Sequence, residues 1–67
     1  MITYKPFWDM LRERNISTYA LINDYKVGRS LVDKLKHDKG ITTSTINNLC
    51  KTFSCNVSDI LLYIDEE

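Results

Sequence analysis

Apolar residues recur at helical spacing along almost the whole chain. Phe7, Trp8, Met10 and Leu11 line one side of a first helix. Tyr4 or Lys5 leads into Pro6, a residue favoured in a helix's first turn. This helix ends near Arg14-Asn15, where basic residues suit the negative end of the helix dipole. Ser17 is a good N-cap for a second helix, with Ile16 placed as the preceding hydrophobic residue. Ala20, Leu21, Ile22 and Tyr25 give that helix its apolar side. After a break at Lys26-Val27-Gly28, a third helix buries Leu31, Val32 and Leu35 and stops before Gly40, a plausible terminator. Thr42 or Thr43 caps a fourth helix with apolar positions Ile46, Leu49, Cys50 and Phe53. Asn56-Val57-Ser58 reads as a further turn and cap, and Ile60, Leu61 and Ile64 predict a short fifth helix.

Strand-like alternation is absent over any useful length. The expectation is therefore an all-α domain of five short helices covering residues 1–67. Such a chain buries only about 60% of its unfolded surface. Its 43% apolar content still allows one core. A deep enclosed catalytic cleft is hard to build at this size. No apolar run approaches the roughly 20 residues that cross a bilayer, and the start lacks a signal-peptide pattern. A cytoplasmic address follows by default, and Cys50 and Cys55 fit it as reduced thiols.

Formal net charge is zero, but the charge is unevenly spread. Between Lys26 and Lys39 lie five basic residues (Lys26, Arg29, Lys34, Lys36, Lys39) against Asp33 and Asp38, while four acidic residues and no basic one run from Asp59 to the end. The second and third helices are separated by a short turn with a small apolar residue, Val27. That spacing allows a helix-turn-helix whose second member is free to enter a DNA groove. The third helix divides its faces: Leu31, Val32 and Leu35 on one side, Arg29, Ser30, Asp33 and His37 roughly opposite, flanked by Lys34 and Lys36. A polar outer face is ordinary on its own; the order of elements around it gives it weight.

That order resembles the Cro and phage-repressor helix-turn-helix family, particularly its short single-domain bacterial members. The resemblance runs through Tyr4-Lys5-Pro6-Phe7-Trp8, the helix after Asn15-Ile16-Ser17, and Arg29-Ser30-Leu31-Val32-Asp33-Lys34-Leu35. It is strongest from Ile46 to Leu61, including Asp59-Ile60-Leu61 at the start of the fifth helix. It implies a lambda-repressor-like five-helix fold, double-stranded DNA as partner, and a reading helix at about residues 28–38. Arg29 and Ser30, with Lys34 a turn later and Asp33 on the same side, are implied at base edges. Arg can donate two hydrogen bonds to guanine O6 and N7. Thr18, and Thr42, Thr43 and Ser44, match positions that touch phosphate, where helix N-termini offer free N–H groups. Lys26, Gly28, Lys36 and Lys39 are counted with that phosphate set. Gly28 stands at the cap, where the family often has a small hydroxyl residue. Two positions depart from the pattern. Lys26 stands where the family's turn usually has glycine, so either its backbone is unfavourable or the turn differs. Asp33 repels phosphate unless it accepts from a cytosine amino group or orients Arg29 four residues earlier.

Other chemistry is poorly supplied. A zinc site needs about four protein ligands, and Cys50, Cys55 and the lone His37 do not provide them. No metal, cofactor or catalytic residue is expected, and His37 is read as a surface or phosphate-side residue. No small-molecule effector or membrane partner is indicated. Leu62 and Tyr63, in the apolar end Ile60–Ile64, are candidates for a symmetric homodimer contact. The expected function is a sequence-specific transcription regulator, a repressor. The alternative is an interaction or antitoxin-like module that keeps the fold with little DNA affinity.

Overall fold

The computed structural model describes residues 1–66; Glu67, the last of the C-terminal acidic residues, lies outside the described residues. The order is β1 (Ile2–Thr3), α1 (Lys5–Glu13), α2 (Thr18–Asn23), α3 (Arg29–Lys36), α4 (Thr43–Phe53), a single 3-10 turn (Val57–Asp59) and β2 (Leu62–Tyr63).

Caps explain where the helices start. Pro6 sits inside the first turn of α1, where a missing N–H costs nothing. Ser17 Oγ accepts from the Ala20 N–H at 3.1 Å to open α2. Thr42, rather than Thr43, opens α4 by accepting from the Thr45 N–H at 3.2 Å. The ends are less conventional. Asn15, Lys26, Asp38 and Ser54 all have left-handed backbone, with φ between 51° and 61°. Asp38, not Gly40, terminates α3: neither glycine has positive φ, and the Lys39 N–H returns to the Lys34 carbonyl at 3.0 Å. An aspartate tolerates this conformation because its short polar side chain finds hydrogen bonds nearby.

The core lies where the four helices and the segment after the 3-10 turn converge. Phe7, Leu21, Leu35 and Ile60 are fully buried, joined by Leu11, Val32, Leu49 and Phe53. Each such side chain contributes about 1.5–3 kcal/mol on leaving water. Phe7 meets Trp8 and Phe53 edge-on at 5.4 and 5.6 Å, and Tyr25 stacks on Phe53 at 4.9 Å. Tyr25 thus packs from the turn beyond α2 rather than from the helix itself.

The predicted fifth helix does not form. Ile60 is buried and Leu61 half-buried, as the apolar pattern requires, but the chain then extends and pairs antiparallel with β1, Ile2 opposite Tyr63 and Thr3 opposite Leu62. The Met1 amino group donates to the Ile64 carbonyl, and the Ile64 N–H donates to the Met1 carbonyl, both at 2.7 Å. A very short helix leaves most of its backbone groups without intrahelical partners. Pairing with the N-terminal segment satisfies them, and Leu-Tyr-Ile suits a strand. The domain is therefore mostly helical, with four α-helices among the described residues.

Candidate nucleic-acid interface

The connection from α2 to α3 is tightly hydrogen-bonded. The Asp24 and Tyr25 N–H groups donate to the Ala20 carbonyl at 2.7 and 3.1 Å, and the Val27 N–H donates to the Leu21 carbonyl at 3.1 Å. Lys26 takes the left-handed position at φ 61°, so the turn keeps its shape and Lys26 bears the backbone strain. Val27 is buried and pins the turn to the core. Gly28 then caps α3 without a side-chain hydrogen bond, its carbonyl accepting from the Val32 N–H at 3.0 Å. A β-carbon at Gly28 would meet nothing within 4 Å, and its φ of −64° suits any residue.

Helix α3 buries Val32 and Leu35, half-buries Leu31, and exposes Arg29, Ser30, Asp33, Lys34 and Lys36. At about 100° per residue, Ser30, Asp33 and the capping residue His37 occupy the middle of the outward face, with Arg29 and Lys34 on its two flanks. Lys36 lies furthest round, toward the Val32 side. The far end of α3 is clamped from the N-terminal segment. Trp8 Nε1 donates to the Leu35 carbonyl at 3.1 Å and the Tyr4 hydroxyl to the Lys39 carbonyl at 2.6 Å. The Asp38 carboxylate accepts from the Tyr4 N–H at 3.0 Å and from the Thr3 hydroxyl at 3.2 Å.

Apart from Lys51 on α4, which is exposed and makes no side-chain hydrogen bond or ion pair among the described residues, the cations divide into two groups. Lys5 and Arg12 pair with Asp9, and Arg14 donates to the Phe53 carbonyl at 2.6 Å. Lys5, first through its hydrogen bond, and then Arg12 hold the Asp9 carboxyl below its ordinary range. By contrast, Lys26, Arg29, Lys34, Lys36 and Lys39 make no side-chain hydrogen bond or ion pair among the described residues. All five are exposed, and all belong to the turn before α3, to α3, or to its C-terminal exit. An open groove of about 540 Å³ separates α3 from the start of α4 and brings Gly28, Ser30 and Lys34 opposite Thr42 and Thr45. Thr43 and Ser44 are exposed in the first turn of α4, and Thr18 is exposed in the first turn of α2.

This helix-turn-helix arrangement has a counterpart in a known family: residues 7–66 match the model of the Cro/C1-type HTH DNA-binding domain. The chain belongs to that family. Its fold is also similar to the crystal structure of the transcriptional regulator VanUg, with a TM-score of 0.83 and 22% sequence identity over 97% of this chain and 87% of that one. Among curated protein sequences none matches significantly.

Several details of this Cro/C1-type domain are set by its tertiary structure. Asp33 does not hold Arg29: its carboxylate lies 3.2 Å from His37 Nδ1 instead. The i,i+4 spacing of Asp33 and His37 is the sequence signal that could have found this pair. Nothing local marks Asp38, Tyr4 or Trp8 as partners of α3. Leu62 and Tyr63 remain exposed, but on a strand of the ribbon rather than on a helix, beside exposed Met1, Ile2 and Ile64. Cys50 and Cys55 are free, half-buried thiols. The Cys55 N–H donates to the Cys50 carbonyl at 3.1 Å around left-handed Ser54, which makes the two side chains the apolar contact that commonly accompanies such a helix end. Among the described residues no three His, Cys, Asp or Glu side chains form a metal-binding group, and no helix is long and apolar enough to cross a membrane.

Proposed function

We propose that this Cro/C1-type domain is a sequence-specific transcription regulator, a repressor, that places α3 in the major groove of duplex DNA. The observation that carries the reading is the set of five exposed cations without partners in and around α3, on a chain whose formal net charge is zero. Of the four cations elsewhere, Lys5, Arg12 and Arg14 are engaged and Lys51 is not, so the partnerless cations concentrate at this helix, where they are left for an external anion. Arg29, Ser30, Asp33 and Lys34 are the groove-facing set. Thr18, Lys26, Gly28, Lys36, Lys39, Thr42, Thr43 and Ser44 approach phosphates from the flanks, α4 offering the free N–H groups of its first turn. VanUg, whose fold is similar, is a transcriptional regulator, which agrees with this reading.

The protein acts by occupancy, and no catalytic role is assigned to any residue. One such helix reads only a few base pairs, so two copies on a palindrome are the expected assembly. The exposed ribbon residues Leu62 and Tyr63 are proposed as the symmetric contact, which sedimentation with and without DNA tests. Duplex binding across a salt series tests the main reading. Affinity should fall steeply as salt rises, with log–log slope set by the phosphates neutralised. No binding even at low salt would favour the interaction-module alternative.

A further inference from the structure

The middle of the outward face of α3 carries an interaction that phosphate binding does not need. His37 Nδ1 lies 2.9 Å from the Asp33 carbonyl oxygen and 3.2 Å from Asp33 Oδ1. Both neighbours are acceptors, so the ring proton sits on Nδ1 whether the imidazole is neutral or charged. The imidazole thereby holds one carboxylate oxygen. The other, Oδ2, has no partner among the described residues. Arg29 and Lys36, also within a turn of Asp33, are not the groups that hold it.

A carboxylate with one oxygen left free on a face turned toward DNA is repelled by every phosphate it approaches. It is useful there only if a donor meets it. In the major groove the donors are the exocyclic amino groups, N4 of cytosine and N6 of adenine; guanine and thymine instead present O6, N7 or O4, which repel a carboxylate. We infer that Asp33 is a specificity residue accepting a hydrogen bond from such an amino group, and that His37 is the positioning residue that fixes its carboxylate for that contact. The inference rests on α3 being the groove helix. Restricting the Asp33 rotamer before binding lowers the entropy lost on contact, and the His37 N–H offsets part of the charge that would face the backbone. Asp33 then discriminates by exclusion as much as by attraction, a complement to the donor Arg29 one turn earlier.

Selection of bound duplexes from a random pool tests this with the full chain and its Asp33→Ala, His37→Ala and His37→Asn variants. Wild type should prefer cytosine or adenine at one position per half-site by about tenfold over guanine or thymine. Asp33→Ala should erase that preference and leave the Arg29-dependent position intact. His37→Ala should weaken the same preference, and His37→Asn should restore it, because the Asn amide N–H can stand where Nδ1–H stands. A purely structural role for His37 would instead lower affinity for all duplexes alike and lower the melting temperature. The proposal is overturned if Asp33→Ala keeps the base preference, or tightens binding to every sequence equally. An unchanged preference in His37→Ala removes the positioning role. Failure of the DNA-binding reading itself is distinct: wild type would select no sequence.

Discussion

The Asp38 carboxylate accepts a hydrogen bond at 3.0 Å from the backbone N–H of Tyr4, 34 residues earlier in the chain. The residue that ends α3 thus shares the capping of α1 with Thr3, whose Oγ1 accepts from the Lys5 N–H at 3.3 Å. Tyr4 has no capping side chain to offer the start of its own helix, and Asp38 satisfies the Tyr4 N–H from outside it. The same aspartate occupies the left-handed position that closes α3. One side chain therefore fixes the end of the proposed reading helix against the N-terminal segment.

Replacing Asp38 separates its two roles. Asp38→Ala removes the cap and keeps the unfavourable backbone, and should cost about 1–2 kcal/mol, a fall of roughly 4–8 °C in Tm per kcal/mol for a domain of this size. Asp38→Gly loses the cap but relieves the backbone, so it should fall between Ala and wild type. Asp38→Asn retains an acceptor and tolerates φ of 53°, and should lie nearest wild type. Thermal melts of the three variants give the order directly; Ala at or above wild type would mean the cap contributes nothing.

Tyr4 links the fold to alkaline pH. Burial, then the negative charge of Asp38, raises its phenol above the ordinary value of 10.0. The folded state holds that proton more firmly than the unfolded state does. Its contribution is present below about pH 10 and is lost as pH rises through the raised value. Tyr4→Phe should cost about 1 kcal/mol near neutrality, from the lost hydrogen bond to the Lys39 carbonyl. The gap between wild type and Tyr4→Phe should narrow above pH 10, as read from urea midpoints. A gap that widens there would reverse the sign of the argument.

Lys26 should show opposite effects on stability and binding. Lys26→Gly relieves a left-handed backbone that costs a side chain about 1–2 kcal/mol, partly offset by the entropy of a freer unfolded chain. A net gain of up to about 1 kcal/mol is expected. Loss of a phosphate contact should at the same time lower DNA affinity and reduce the salt slope by about one unit. A more stable variant with unaltered DNA binding would remove Lys26 from the interface.

Arg29 and the lysines at the other end of α3 should behave differently. Arg29→Ala should cost roughly 1–3 kcal/mol and relax preference at one base position per half-site. Lys36→Ala and Lys39→Ala should weaken all duplexes similarly, each reducing the salt slope by about one unit. If Arg29→Ala changes neither affinity nor base preference, α3 is not presented to the groove as proposed.

The cysteines should prove structural and slow to react. Burial, followed by the neighbouring Cys50, raises the Cys55 thiol above its ordinary value and reduces its thiolate fraction. Alkylation at pH 8 followed by mass spectrometry should label Cys55 more slowly in the folded chain than in urea. Replacing both cysteines by Ala should lower stability by roughly 0.5–3 kcal/mol without abolishing DNA binding. Stoichiometric zinc in the native protein, lost in that variant, would contradict this view.

Local physics alone placed most of the helical frame. Ser17 and Thr42 announce helix starts because a cap is decided within three residues, and the positions of Phe7, Leu21, Leu35 and Phe53 follow from a period that every helix shares. The exposed face of α3, with Arg29, Ser30, Asp33 and Lys34, is legible for the same reason. Tertiary structure decided what the spacing could not. Whether residues after Ile60 become helix or strand depends on a free backbone edge at Ile2–Thr3, at the opposite end of the chain. Whether Gly40 or Asp38 closes α3 depends on Tyr4 and Thr3 standing ready to use the Asp38 carboxylate. Whether Asp33 turns to Arg29 or to His37 depends on where the helix ends and frees its carbonyls. Periodicity reports which face of a segment prefers to leave water. It carries no information about which distant donor or acceptor will be waiting when that face is buried.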